Sequence, residues 1–362
     1  MATVAVIGGG YGGITAAKAL DDVADVTLVE PRDTFVHNVA TLRAVVDPQW
    51  VDRLFLPYDH LLARGRTVRE RATRISDTHV ELGSGTLLEP DFTIVATGSR
   101  HRHPAKLPII DTAAAKVQLQ RTHEALAQAR RVVLLGAGPV GLELAGEIKA
   151  AWPDKSVTVL DPAPELLGGR YSAEFTAEVH DQLDRLGIDL RLDVSLARPP
   201  ATEAGALGSF TVTTTSGAEV GGDIWFACYG ASPNSEALRA GGDIPVGANG
   251  LVEVTSQLQV PGRRRTYVIG DITAIPELKM ARLAQEHAVV AATNIRAEIL
   301  GTGEWASYSA ADDAIVLPLG PSAGAGYAKE VGVLGPEAIV GIKGNLYLDL
   351  YRSLLNLDEV AA

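Results

Sequence analysis

Cysteine is almost missing from this chain of 362 residues. Cys228 is the single one, so an intrachain disulfide, a Cys-x-x-Cys redox pair and a cysteine-based zinc site are all excluded. It falls in the apolar run Ile224-Trp225-Phe226-Ala227-Cys228, where a buried, inert thiol is expected. Basic charge is also short: 32 Lys and Arg stand against 44 Asp and Glu, for a net charge of −12. No basic block offsets that deficit, which opposes general binding to nucleic acid or anionic lipid. Long apolar runs are lacking too, none reaching the ~18 residues of a spanning helix. Met1 leads directly into an apolar run, which predicts no secretory leader, and Met-Ala lacks the glycine that myristoylation needs. A cytoplasmic location and no metal site are the expectations.

What is present is ordinary for a soluble globular protein, with 46% apolar and 21% charged residues. The length suits two or three domains. The informative feature is a pair of glycine-rich loops, Gly8-Gly9-Gly10-Tyr11-Gly12-Gly13 and Gly136-Ala137-Gly138-Pro139-Val140-Gly141. Each follows a β-branched or leucine-rich run, Thr3-Val4-Ala5-Val6-Ile7 or Val132-Val133-Leu134-Leu135, and each opens a helix-like stretch. The first glycine permits the tight turn, the second lets backbone approach a pyrophosphate, and the last lets helix pack on strand. The phosphates would sit at the helix N-terminus, among unpaired N–H groups. A second strand follows each loop, Val26 to Val29 ending at Glu30 and Val157 to Leu160 ending at Asp161. Both acids lie roughly 20 residues after their loop, where a carboxylate can accept from ribose hydroxyls. Two such units predict two dinucleotide sites.

Beyond the loops, strands are expected at Val68 to Ile75, Thr78 to Leu82, Phe92 through Thr97-Gly98-Ser99, around Leu190, Phe210 to Thr215, Ile224 to Tyr229 and Thr266 to Asp271. Helices are expected at Gln118 to Ala129, Ala173 to Leu186 and Met280 to Ile299. Pro31 to Ala44 reads as a loop entering a helix. Arg100 to Pro108 and the glycine- and proline-rich Gly230 to Gly250 read as outward and return crossings between domains. Leu346, Tyr347, Leu350, Tyr351, Leu354 and Leu355 share one helical face, which can pack on the core or stay open to lipid or a second copy.

The order of these motifs, GxGxxG, Ala-Thr-Gly, GxGxxG, Cys-Tyr-Gly and Ile-Gly-Asp, resembles the pyridine nucleotide-disulfide oxidoreductase superfamily over nearly the whole chain. Phe35-Val36-His37-Asn38-Val39-Ala40-Thr41-Leu42-Arg43-Ala44 stands where disulfide reductases carry their cysteines, and resembles the ferroptosis suppressor and apoptosis-inducing-factor-like NAD(P)H:quinone oxidoreductase branch. Lys279-Met280-Ala281, Glu286-His287-Ala288 and Gly341-Ile342-Lys343-Gly344 agree further. Ile272, where many relatives have cysteine, and a short C-terminal tail depart from the pattern.

The resemblance implies an α/β, glutathione-reductase-like flavoprotein with two Rossmann-type dinucleotide-binding domains and a small C-terminal α+β domain. Residues 1–104 and 238–300 would form the FAD-binding domain, 105–237 the NAD(H)-binding domain and 301–362 the C-terminal domain. It assigns FAD to Gly8 through Gly13, Glu30, Arg43, Ala72, Thr97, Gly98, Gly270 and Asp271, and the second nucleotide to Gly136, Gly138, Pro139, Val140, Gly141, Glu143, Asp161 and Gly230. Asp271 would accept from the ribityl chain, with a helix N-cap as the alternative. Lys279, Met280 and the helix they open would offset negative charge on reduced flavin. Lys343 would lie near the flavin, or be a surface lysine beside a turn.

The reaction so implied is hydride transfer from NADH to FAD, with electrons passed to a quinone-like small acceptor. Asp161 should disfavour a 2′-phosphate, making NADPH the lesser donor. His37 is a proton-donor candidate, its reference pKa near 6.5, or a cap on the following helix. A protein or specialised-metabolite acceptor, and a low-turnover NADH-sensing scaffold, stay open. So do monomer or homodimer, and peripheral membrane contact.

Overall fold

The computed structural model describes residues 1–357. A five-stranded parallel sheet runs in the order Thr266–Val268, Phe92–Val95, Thr3–Ile7, Asp25–Val29, Arg66–Val68. Its central strands are largely apolar on both faces because both are covered, whereas the edge strand exposes Arg66 and Thr67. Val4, Val6, Leu28 and Ile94 enter one core, and Ala5, Ile7, Val29 and Val95 enter another. Helices Tyr11–Leu20 and Ala281–Leu300 lie together on the first of these faces. They approach so closely that a Cβ on Gly12 would meet the Ala284 carbonyl oxygen at 2.9 Å.

A four-stranded parallel sheet repeats the plan in the order Ile188–Arg191, Ser156–Leu160, Arg131–Leu135, Ile224–Ala227. Val132 and Leu134 face the core that holds helices Thr112–Gln128, Pro139–Ala151 and Ala173–Arg185. Val133 and Leu135 face the hairpin Phe210–Thr213 and Glu219–Gly222. The chain passes between the sheets twice, and the passages pair antiparallel as Ser99–Arg100 with Ser232–Pro233. Asn234 closes the crossing by donating to the Thr97 carbonyl at 2.9 Å and accepting from the Thr97 hydroxyl at 2.8 Å through its own carbonyl. A three-stranded antiparallel sheet, Ala314–Pro318, Gly324–Ala328 and Gly332–Leu334, carries helices Pro336–Lys343 and Leu348–Leu354. Its Leu319 presses on the second loop's helix, where a Cβ on Gly146 would come within 2.4 Å of backbone.

Several elements differ from the sequence expectation. Thr34–Val36 is a strand paired with Phe55–Pro57, inside what reads as loop. Val68 to Ile75 is divided: Arg66–Val68 joins the parallel sheet, while Ala72–Ile75 pairs antiparallel with Val80–Leu82. Helix Thr112–Gln128 begins earlier than expected because Asp111 caps it, accepting from the Ala114 N–H at 2.9 Å. Glu236–Gly241 forms a helix within the return crossing. In the tail, Tyr351 and Leu355 are buried but Leu350 is 54% exposed, so the apolar face is covered only in part.

Candidate functional site

Both parallel sheets reverse strand order beside a glycine-rich loop. In the first, the chain moves outward from Thr3–Ile7 through Asp25–Val29 to Arg66–Val68, then returns on the other side with Phe92–Val95 and Thr266–Val268. In the second it moves from Arg131–Leu135 through Ser156–Leu160 to Ile188–Arg191, then returns with Ile224–Ala227. Open α/β sheets bind ligands in the crevice at the carboxyl ends of strands on either side of such a reversal.

The first loop is shaped by contacts that only glycine allows. Gly8 has φ +107°, and a Cβ on it would sit 2.4 Å from the Ala96 carbonyl oxygen. A Cβ on Gly13 would sit 1.8 Å from the Gly8 oxygen, whereas one on Gly10 would meet nothing within 4 Å. The loop is thus closed behind and open in front. Helix Tyr11–Leu20 starts there with no side-chain cap and no acid in its first turn, leaving its N–H groups and positive dipole end available to an anion. Glu30, buried at the end of the next strand, accepts from the Gly9 N–H at 2.7 Å. The Tyr58 hydroxyl donates to the Gly9 carbonyl at 2.8 Å.

The second loop repeats these features. Gly136 has φ +114°, a Cβ on Gly141 would lie 1.9 Å from the Gly136 oxygen, and Gly138 is open in front. Pro139 takes the first helical position, where a missing N–H costs nothing, and Val140 follows it. Asp161 accepts from the Ala137 N–H at 2.6 Å, the equivalent of Glu30 on Gly9, and from the Ala163 N–H at 2.8 Å.

A model of the pyridine nucleotide-disulphide oxidoreductase family matches residues 2–291. The chain belongs to that family. It is 30% identical to apoptosis-inducing factor homolog B of Dictyostelium discoideum over 98% of this chain and 96% of the relative. It is 31% identical to ferroptosis suppressor protein 1 of Homo sapiens, covering 81% and 79%. The sulfide:quinone oxidoreductase of Aquifex aeolicus superposes with a TM-score of 0.76 at 20% identity, covering 98% of this chain and 92% of that one, a likeness of fold. The family is one of flavin-dependent NAD(P)H oxidoreductases, and this chain is an enzyme of that class. The disulphide in the family's name finds no counterpart: Cys228 is buried, which pushes its thiol up to about 12.

Asp271 distinguishes the first crevice from the second in this oxidoreductase. It follows strand Thr266–Val268 in a 3-10 turn, accepting from the Ser99 hydroxyl at 2.5 Å and from the Lys106 ammonium at 3.1 Å. Burial pushes its carboxyl up, and Lys106 with Ser99 outweighs that, leaving it below the usual carboxylate range. Lys106 also donates to the Ser99 carbonyl at 2.9 Å, tying the outward crossing to Asp271. Thr97 and Gly98, the latter at φ +63°, border the same place. Gly270 is held from behind: its N–H donates to His287 Nδ1 at 3.0 Å, and His287 Nε2 lies 2.9 Å from Glu277, whose other oxygen accepts from the Tyr308 hydroxyl at 2.7 Å. Lys279 donates to the Thr273 and Ile275 carbonyls at 2.9 and 3.0 Å, and its charge adds to the lowering at Asp271. Met280 precedes helix Ala281–Leu300 without capping it.

Other expected site residues are engaged within the protein. Arg43 is buried, its Nε 2.5 Å from Glu147 and its guanidinium over the Trp50 ring at 5.6 Å. One turn away on the same helix, Glu143 accepts from Lys343 at 2.9 Å. Helix Pro139–Ala151 is therefore pinned along one face, through Glu147 to Arg43 and through Glu143 to the end of helix Pro336–Lys343. Ala72 lies on strand Ala72–Ile75. His37 is fully buried, and burial lowers its pKa to about 4, far from the ordinary value near 6.5. Its ring caps no helix. Nδ1 accepts from the Tyr11 hydroxyl at 3.1 Å, which itself accepts from the Val39 N–H, and Nε2 donates to the Leu346 carbonyl at 2.8 Å. Tyr351 packs against Tyr11, His37 and Phe35 with centroids at 4.8, 5.0 and 5.8 Å. Sequence reasoning missed Lys106 and Tyr351's role, and it saw His287 only as part of a weak motif. The Lys106 signal was the lone lysine in the outward crossing. Among the described residues, no cluster of three metal-ligating side chains occurs, and no helix is long and apolar enough to cross a membrane.

Proposed function

We propose that the first loop, with Glu30, Thr97, Gly98 and Asp271, holds FAD, that the second, with Asp161, holds NADH, and that the enzyme passes electrons to a quinone-type small acceptor. In this reading residues 1–104 and 238–300 serve the flavin, 105–237 the nicotinamide nucleotide, and 301–362 form the C-terminal domain. The observation that carries it is the duplicated cradle: two sheet reversals, two loops open in front, two acids on the second loop residue, and Asp271 with Lys106 at the first alone.

FAD held there would supply the two-electron chemistry between a reduced nicotinamide and an acceptor. The chain's own residues bind and place. Each uncapped helix start receives a diphosphate. Glu30 and Asp161 receive ribose hydroxyls, and Asp161 repels a 2′-phosphate, favouring NADH. Asp271, kept ionised by Lys106, receives a polyol hydroxyl. Arg43–Glu147 and Lys343–Glu143 fix the helix of the second loop relative to the first crevice, which sets the distance between the two nucleotides. The inert Cys228 leaves no thiol to relay electrons, and a quinone acceptor is supported by the resemblance of Phe35 to Ala44 to the NAD(P)H:quinone oxidoreductase branch and by the likeness of fold to a sulfide:quinone oxidoreductase.

Paired variants test the assignment. Asp271→Asn should lower FAD retention on dialysis, while Asp161→Ala should leave the flavin in place and weaken NADH. Flavin loss from the Asp161 variant with none from the Asp271 variant would reverse the two sites.

A further inference from the structure

The strand order fixes which end of the second crevice receives which half of a dinucleotide. Asp161 ends the strand on one side of Arg131–Leu135, so the adenosine half belongs there. The nicotinamide half then lies over the strand on the other side, Ile224–Ala227, whose carboxyl end continues as Cys228-Tyr229-Gly230. That segment abuts the loop: a Cβ on Gly136 would meet the Cys228 backbone at 3.2 Å.

The side chains at that end are unusual for this acidic protein. Tyr229 is 49% exposed, and the Arg102 guanidinium covers its ring at 5.7 Å from the centroid. Gly230 brings backbone equally near, since a Cβ there would lie 4.0 Å from Arg102 Nε. Among the described residues no carboxylate pairs with Arg102, although the chain carries a net charge of −12. Arg102 comes from the outward crossing and Tyr229 from the segment that follows strand Ile224–Ala227, so the pair joins two segments that are distant in sequence. An unpaired guanidinium over an exposed ring, at the open end of a diphosphate crevice, has charge to offer an anion and an aromatic face to offer a planar group.

We propose that Arg102 and Tyr229 bind the nicotinamide half of the dinucleotide, Arg102 through its charge on the phosphate of that half and Tyr229 through its ring. The proposal rests on the reading that the second loop holds NADH. The pair provides uniform binding rather than chemistry, so its loss should appear in KM and leave kcat nearly unchanged.

The test uses the FAD-loaded enzyme and two probes, AMP, which fills only the adenosine half, and NADH. Arg102→Ala and Tyr229→Ala should each weaken NADH roughly 3- to 10-fold, measured as KM and as the half-saturation of anaerobic flavin reduction. AMP inhibition constants should stay within about twofold of wild type, and Tyr229→Phe should restore NADH affinity. Unchanged NADH affinity in both alanine variants, or AMP weakened in the same proportion, would overturn the proposal. If wild-type enzyme binds neither AMP nor NADH, the assignment of the second loop fails instead, and the two failures are told apart before any variant is made.

Discussion

Replacing Asp161 by alanine should shift the enzyme's preference toward NADPH, and the geometry sets the scale. Both carboxylate oxygens are anchored by backbone, at 2.6 Å from the Ala137 nitrogen and 2.8 Å from the Ala163 nitrogen, so the charge cannot swing away from an incoming phosphate. A carboxylate placed to accept from the adenosine ribose would meet a 2′-phosphate at about 5 Å, where two like unit charges repel by about 3 kcal/mol at an effective dielectric near 20. Salt and partial exposure reduce this, so the kcat/KM ratio of NADPH to NADH should rise roughly 10- to 100-fold in Asp161→Ala. Asp161→Asn should rise less, because its amide NH2 must face one of two backbone N–H donors. Steady-state kcat/KM for both nucleotides at low and high salt provides the assay, with the gain shrinking at high salt. A ratio unchanged within twofold, or a wild-type enzyme that prefers NADPH, would refute the reasoning.

Other perturbations follow from the same structure. Lys106→Met should weaken FAD retention and move the acid-side loss of stability to higher pH. The Asp271 carboxyl is lowered when folded, so its contribution is present above the unfolded carboxylate value and lost as pH falls through the lowered one. A melting series across acidic pH checks this. His37, depressed to about 4, binds its proton less readily folded than unfolded, so stability should fall as pH drops from about 6.5 toward 4, by on the order of 3 kcal/mol. His37→Gln should flatten part of that slope, and kcat should show no titration of this ring between pH 6 and 8. Cys228→Ser should leave quinone reduction intact, and a thiol reagent should label native Cys228 only on unfolding. Gly141→Ala, whose Cβ would lie 1.9 Å from the Gly136 oxygen, should abolish NADH-driven reduction while a folded variant keeps its flavin.

The parts legible in the sequence were those that local physics dictates. Gly8 and Gly136 take positive φ, Gly13 and Gly141 pack on the oxygens of those glycines five residues earlier, and the acids at the ends of the second strands obey a fixed spacing. Strands Thr3–Ile7, Asp25–Val29, Arg131–Leu135 and Ser156–Leu160 declare themselves because burial on both faces keeps them largely apolar. What stayed hidden depends on partners far along the chain. Lys106 acquires meaning only when Asp271 is folded beside it, and His37 is a neutral ring only because distant segments bury it, with the Leu346 carbonyl accepting a hydrogen bond from Nε2. Thr34–Val36 is a strand because Phe55–Pro57 pairs with it, in a stretch too short to show periodicity. Helix Glu236–Gly241 is masked by flanking glycines and prolines, yet it packs against Ile75 so closely that Gly241 has no room for a Cβ.

The electron path from nicotinamide through flavin to a non-thiol acceptor is tested most directly by anaerobic titration of the purified enzyme with NADH, followed by a soluble quinone. The account predicts a flavin-bearing protein whose visible absorbance bleaches with one NADH per flavin and returns on adding quinone, with or without prior thiol blocking. A protein that carries no flavin, or one whose flavin stays oxidised in excess NADH, would contradict it.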